Sequence, residues 1–292
     1  MTNSALDVEP FGSTDPTARI DHLYRLRRAT HHFIVRYGEA HWAEEQRFSG
    51  RLTAPPTITA LPARRRPKAL AADEARRVAD AHLYGLDEVA ATTAVTLGAR
   101  MVEFTSSDAD PDVDRAWSPV ARPPAESGLL WWAGGIGYDN LGVPLVAAHW
   151  GPMAEGTWLA FWADNRAVVQ NEMAQHGWTR SQAHLVLQEF GPLATTGIAA
   201  GLSPRLDAKP PPDPGARQPP PPTDSPLALT ATVAASWALL TTPGAARLIT
   251  REPDPDEAVR DRRAGLTPRP ATLAAAPIDP QILQRLYTQE QR

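Results

Sequence analysis

His149 stands in a stretch of alternating apolar residues that also holds Trp131, Trp158 and Trp162, and a β-strand reading puts all four side chains on one face. An imidazole in such surroundings has the chemistry of a general base with a displaced pKa. It equally has the makings of a core histidine satisfied by its neighbours. No serine, cysteine or carboxylate stands at a spacing that completes a relay with it, and Asp139 and Asp164 are near only because they lie on loops at the strand ends. These four residues form the candidate pocket or interface. No residue is assigned as catalytic, cofactor-binding or metal-ligating.

Other chemistry-bearing groups compete with plainer readings. Asp108, Asp110, Asp112 and Asp114 alternate as oxygen ligands of a hard cation do, but Val113 stands where an EF-hand loop needs glycine and Pro119 where it needs glutamate. A solvated acidic loop explains them better. His31 and His32 are adjacent, so on a helix they diverge by about 100° and cannot grip one ion together, and His41 stands apart with Glu39, Glu44 and Glu45. Gly134-Gly135-Ile136-Gly137 follows a strand as phosphate loops do, yet no helix opens after it. Three features bear on macromolecular contact. Arg64, Arg65, Arg66 and Lys68 form a basic run suited to phosphates. Residues 167–190 have the outline of helix, glycine turn, helix, with Arg180 at the start of the second helix. Ile282, Leu283, Leu286 and Tyr287 make one stripe of a terminal helix that offers itself to a partner.

Composition bounds these choices. The 292 residues are 42% apolar, enough for a sizeable core, and hold no cysteine, which removes disulfides and thiolate chemistry together. Residues 1–78 carry 13 basic and 9 acidic groups, residues 79–202 carry 5 and 14, and residues 203–292 carry 11 and 10. The acidic middle repels nucleic acid, so a polyanion contact falls to the N-terminal third. The start of the chain lacks the pattern of a secretory signal, and the apolar run Leu227–Leu240 is short of the roughly 20 residues of a membrane span, which predicts a cytoplasmic protein with no membrane contact.

The elements that position these residues follow from spacing. Asp15-Pro16 is a helix start, and Ile20, Leu23, Phe33, Ile34 and Trp42 recur at helical intervals to about Arg47, with Gly38 as a point of break or bend. Asp73–Asp80 reads as a helical turn, Ala81–Tyr84 as a short strand, and Asp87 as the cap of a further helix. Strands follow at Leu129–Ala133, Pro144–Trp150 and Thr157–Ala163. Their two faces, Leu130, Trp132, Val146, Ala148, Trp150, Leu159 and Phe161 against Leu129, Trp131, Leu145, Ala147, His149, Trp158, Ala160 and Trp162, are both apolar, so helices must cover each. Beyond the proline-rich tract come a helix from Pro226 to Leu240, a charged helix from Asp254 to Ala264, a possible strand at Pro270–Ala275 and the terminal helix capped by Asp279.

The run Ser127–Trp132, the segments Val143–Leu145, His149–Pro152 and Trp158–Trp162, and the later Ser236–Leu240 with Pro243 resemble uncharacterised actinobacterial proteins found on phage- or plasmid-like mobile elements. The likeness spans about half of the chain. It implies a fold and a genomic setting and brings no activity with it.

The expected fold is α+β: a small antiparallel sheet of three to four strands covered by helices, with an N-terminal helical arm and a C-terminal helical segment. The expected divisions are a disordered terminus over 1–15, the arm over 16–49, a Pro/Arg linker over 50–72, the core over 73–202, a proline-rich linker over 203–226 and the helical segment over 227–292. The expected role is a non-catalytic binding or assembly protein of a mobile element, without a cofactor, acting through a protein partner or self-association. The alternatives are a DNA-binding accessory or regulatory protein and an enzyme with a pocket near His149.

Overall fold

A computed structural model describes residues 14–50, 54–106, 122–139, 141–153, 156–202, 226–279 and 281–282. Helix α1 (Pro16–Ser49) starts where Asp15 caps it, accepting from Thr17 N at 3.1 Å and Ala18 N at 3.3 Å, and stops at Gly50 in the left-handed region. Gly38 neither breaks nor ends it. Helix α3 (Arg66–Asp80) packs there, and a Cβ on Gly38 would stand 3.0 Å from that of Ala71, so the glycine serves close helix approach. Between the two lie a single turn, α2 (Pro56–Thr59), and a 3₁₀ turn (Ala63–Arg65). Much of the stretch read as a linker is therefore helical.

The chain continues through β1 (His82–Leu86), α4 (Glu88–Ser106), β2 (Gly128–Trp132), β3 (Leu145–Met153), β4 (Gly156–Asp164), α5 (Asn165–His176), α6 (Arg180–Phe190), β5 (Leu193–Leu202), α7 (Pro226–Thr241), β6 (Ala246–Arg251), α8 (Pro255–Arg263) and β7 (Ala271–Ile278). All strands join one seven-stranded mixed sheet in the order β5-β4-β3-β2-β1-β7-β6. Strand β1 is parallel to β2 and to β7, and the other neighbours are antiparallel.

This overturns the expected small antiparallel sheet of three to four strands with a helical arm before it and a helical segment after it. The three strands legible from alternation are the β2–β4 meander at its centre. The parallel pairs join residues far apart in sequence, such as Leu83 with Ala271, and no local pattern encodes such a partner. Strand β6 is a polar edge strand, Ala-Arg-Leu-Ile-Thr-Arg, and carries little apolar signal. Nor is α1 an arm, since Ile20, Leu23, Leu26 and Phe33 pack into the core against Leu129, Trp131, Ala147 and Trp162.

Both sheet faces are covered. Helices α1 and α3 take one, while α4 and α7 take the other, where Leu130, Trp132, Trp150 and Phe161 meet Ala90, Ala94, Ala235 and Trp237. The strand alternation holds except that Leu145 and Val146 exchange faces, because an irregularity between Leu145 and Ala147 shifts the β3–β4 register. Helix α7 is buried on every side from Ala228 to Leu240, as a helix apolar all round must be. Ser236 Oγ ties it to the sheet, accepting from Trp132 Nε1 at 2.9 Å and donating to Thr232 O at 2.7 Å. Among the described residues no helix is long and apolar enough to cross a membrane.

Charged pairs fasten the layers. Arg27 of α1 is paired with Asp261 of α8 and donates to Ala81 O and Thr267 O, each at 3.0 Å, while Arg28 reaches Glu257 at 2.6 Å and Asp261 at 2.8 Å. Asp87 caps α4 through Ala90 N at 2.8 Å and also accepts from Ala276 N at 2.9 Å, which pins the end of β1 to β7. One packing prediction arises at the meander. A Cβ on Gly128 would lie 2.2 Å from Trp150 Cζ2, so Gly128→Ala should force the buried indole aside and lower stability by about 1–3 kcal/mol in denaturant unfolding.

Candidate functional site

Beneath α1 and α3 the sheet carries a closed polar cluster. Residues Leu70, Ala71, Glu74, Arg77 and Val78 form the buried stripe of α3, so its helical period drives a carboxyl and a guanidinium inward among apolar side chains. Helix α1 contributes His41 and Trp42 near its end. Strand β3 contributes His149, which is paired in register with Ala160 of β4 and so lies between Trp158 and Trp162 on one face. The imidazole centroid is 5.6 Å from that of Trp158 and 5.9 Å from that of Trp162.

Hydrogen-bond direction fixes the protonation of this histidine. Trp162 Nε1–H donates to His149 Nδ1 at 2.9 Å, so Nδ1 is an acceptor, the ring is neutral and its proton sits on Nε2. Burial holds His149 far below its ordinary value of 6.5, down to about 3, and the Arg77 charge adds to the effect. The Nε2–H points toward Glu74 Oε1 at 3.5 Å, a long approach and not an ion pair, because the ring carries no charge. Trp42 Nε1–H donates to Glu74 Oε2. Burial raises the Glu74 carboxyl from 4.5 to about 8, with the Trp42 hydrogen bond and Arg77 opposing. Arg77 itself is turned to Asp73 at 2.6 Å and lies over the Trp158 ring at 5.2 Å.

A small cavity borders the cluster, walled by His41, Trp42, Glu74, Ala160, Phe161, Trp162, Thr195 and Thr196. His41 Nδ1 is 3.1 Å from Thr195 Oγ1, and burial lowers the pKa of His41 to about 4. The arrangement can hold and exchange protons. Among the described residues no group of three His, Asp or Glu side chains is placed to hold a metal ion.

The structure therefore gathers His149, Trp158 and Trp162 and leaves Trp131 outside the cluster. Trp131 packs on α1 against His22, with ring centroids 5.1 Å apart. All four are buried and offer no surface to a partner. Glu74 and Thr195 escaped the sequence reading, which took Trp42 only as a core position of α1 and weighed His41 only with Glu39, Glu44 and Glu45. A signal for Glu74 existed, since it falls on the Leu70–Ala71–Val78 stripe, but it shows only once the helix is begun at Arg66 and not at Asp73.

The remaining candidates scatter. Arg64, Arg65 and Lys68 are exposed, while Arg66 is half-buried with Nε donating to Leu61 O at 2.8 Å. Arg180 is exposed at the start of α6, where Thr179 and Gln182 form a capping box. The Gly134–Gly137 turn uses its amides within the sheet, Gly135 N to Trp132 O at 3.2 Å and Ile136 N to Leu145 O at 2.8 Å, which leaves those donors unavailable to a phosphate. Ile282 is half-buried and packs against the core under α4 and α7. Leu283, Leu286 and Tyr287, the Asp108–Asp114 loop and most of the proline-rich tract lie outside the described residues. Comparison of the chain with protein-family models, with curated proteins and with solved structures finds no match.

Proposed function

We propose that this protein is a binding or assembly protein that acts through protein–protein contacts, with the outer face of the α5–α6 hairpin and the adjoining turn of α1 as its contact surface. One observation carries the reading. Leu185 of α6 is 63% exposed and Val35 of α1 is 65% exposed, and they flank a single ion pair, Arg36 to Glu189 at 3.1 Å. Leu185 stands one turn before Glu189 on the same stripe, and Val35 directly precedes Arg36. Within the hairpin only Asn165, Val169 and Ala183 are buried, so most of its surface is available to another molecule.

Because both apolar side chains are exposed, Leu185→Asp combined with Val35→Asp should leave thermal unfolding nearly unchanged. It should weaken self-association or partner capture by about tenfold or more, as loss of a central apolar contact does. Light scattering after size exclusion and cross-linking from host extract measure this. A wild-type chain that stays monomeric at high concentration and captures nothing would remove the reading. A mobile-element setting belongs to the same proposal, and the neighbouring genes test it.

A second reading is duplex DNA binding by the hairpin. It is favoured by Arg180, Gln182 and His184, all exposed on the second helix. It predicts binding that weakens steeply with salt and is lost in Arg180→Ala.

A further inference from the structure

Residues 46–72 hold six basic side chains, Arg47, Arg51, Arg64, Arg65, Arg66 and Lys68, and no acidic one, in a chain whose net charge is −4. The fold gathers the described ones at one corner. Helices α1 and α3 pack antiparallel: Arg27 donates to Ala81 O just past the end of α3, and Gly38 lies against Ala71. Phe48 stands as far beyond Gly38 on α1 as Leu61 stands before Ala71, so the end of α1 comes level with the 3₁₀ turn that precedes α3. Trp42, Ile58 and Leu70 pack as one cluster and hold this corner together.

Arg64, Arg65 and Lys68 are exposed there, and the Arg47 side chain is 73% exposed. Helix stability does not account for these charges. Three of them stand at the start of α3, the end where a helix dipole disfavours cations, and that end has neither an acidic residue in its first turn nor a side-chain cap. Of the flanking carboxylates, Glu44 is paired with Arg47 at 3.0 Å, Asp73 with Arg76 and Arg77, each at 2.6 Å, and Glu74 is buried against Trp42, while Glu45 is exposed.

Phe48 adds a second chemistry. It is 78% exposed beside the cations, with the Arg47 guanidinium 5.8 Å from its ring centroid. The basic side chains suit phosphates, and an exposed aromatic ring suits a base. In a duplex the faces of the bases are stacked on one another, whereas a single strand presents them. A membrane surface calls for a broad apolar face, and among the described residues of this corner Phe48 is the large apolar side chain exposed.

We propose that this corner binds single-stranded nucleic acid, with Arg47, Arg64, Arg65 and Lys68 on its phosphates and Phe48 stacked on a base. The surface lies about 20 Å along α1 from Val35 and rests on neither reading given above for the α5–α6 hairpin.

The test is fluorescence anisotropy of a labelled oligothymidylate titrated with the full chain at low salt. Affinity should fall with salt with a log–log slope of about −3, as about four phosphate contacts to a single strand give. Arg64→Gln with Arg65→Gln and Lys68→Gln should cut affinity about tenfold or more and bring the slope to about −1, with thermal unfolding kept because all three side chains are exposed. Phe48→Ala should weaken binding about tenfold and leave the slope as it was; an unchanged affinity refutes the stacking role. A wild type that does not bind oligothymidylate at low salt overturns the proposal, even if it binds phosphatidylserine vesicles. So does a mixed-sequence duplex bound as tightly as the single strand. Binding that survives the triple change and is lost in Arg180→Ala would place the contact on the hairpin and refute the corner.

Discussion

Asp261→Ala is expected to destabilise the protein by about 3–5 kcal/mol, a large share of the roughly 5–15 kcal/mol that holds a domain of this kind folded. The reason is what it leaves behind. The side chains of Arg27 and Asp261 are both 0% exposed, so the guanidinium would keep its charge in the core with only the carbonyls of Ala81 and Thr267 as acceptors. Burial already lowers the Arg27 pKa, with Asp261 the main influence in the other direction. The second arginine, Arg28, would lose one of its two carboxylates and retain Glu257. Changing both members, Arg27→Met with Asp261→Leu, should recover part of the loss, since the charge disappears together with its partner. Recovery is incomplete because the two carbonyls then lack a donor. Urea unfolding of the wild type and the two variants measures this, and a loss under about 1 kcal/mol for Asp261→Ala would contradict the assignment of this pair as a buried tie.

Acidification should produce the second large effect. Burial lowers His149 and His22 from 6.5 to about 3 and His41 from 6.5 to about 4, with nearby arginines adding to the effect at the first two. For each, the unfolded chain binds a proton that the folded one refuses, so the stabilisation is fully present above pH 6.5 and is lost as the pH falls toward 3. Each group contributes up to about 1.4 kcal/mol per pH unit over that window. Glu74 has the opposite sign. Its folded pKa is raised, so its contribution is full below 4.5 and is lost as the pH rises through about 8. Three histidines outweigh one carboxyl below pH 6.5 and the carboxyl acts alone above it, which puts maximum stability near pH 6.5. Unfolding midpoints measured from pH 4 to pH 9 should trace a steep acid limb and a shallow alkaline one. His149→Gln, which keeps an acceptor for Trp162, should flatten the acid limb, and a limb of unchanged slope would show that His149 is already protonated in the fold.

Local features were well marked in the chain. The cap at Asp15, the cap at Asp87 and the three strands of the meander all rest on contacts within a few residues, where spacing and side-chain type suffice. Gly38 shows the limit of such reasoning. As a local residue it signals a break, and only the presence of Ala71 above it explains a continuous helix. The candidate site divides in the same way. His149 with Trp158 and Trp162 was legible because one β-ladder sets them on one face, whereas Trp42 and Thr195 reach the cluster from elements distant in sequence.

By itself, then, the sequence determined where α1 and α4 begin, where the three meander strands run and that both faces of those strands had to be buried, because helical and strand periods are properties of neighbouring residues; it did not mark β5, β6 or the helical turns within residues 56–72. The tertiary structure decided which strands flank β1, which helices cover which face, and that Glu74 of α3 accepts from Trp42 of α1 beside the buried His149. Those outcomes depend on residues brought together across the whole chain, where packing and the need to satisfy each buried polar atom select the partner and no local pattern records the choice.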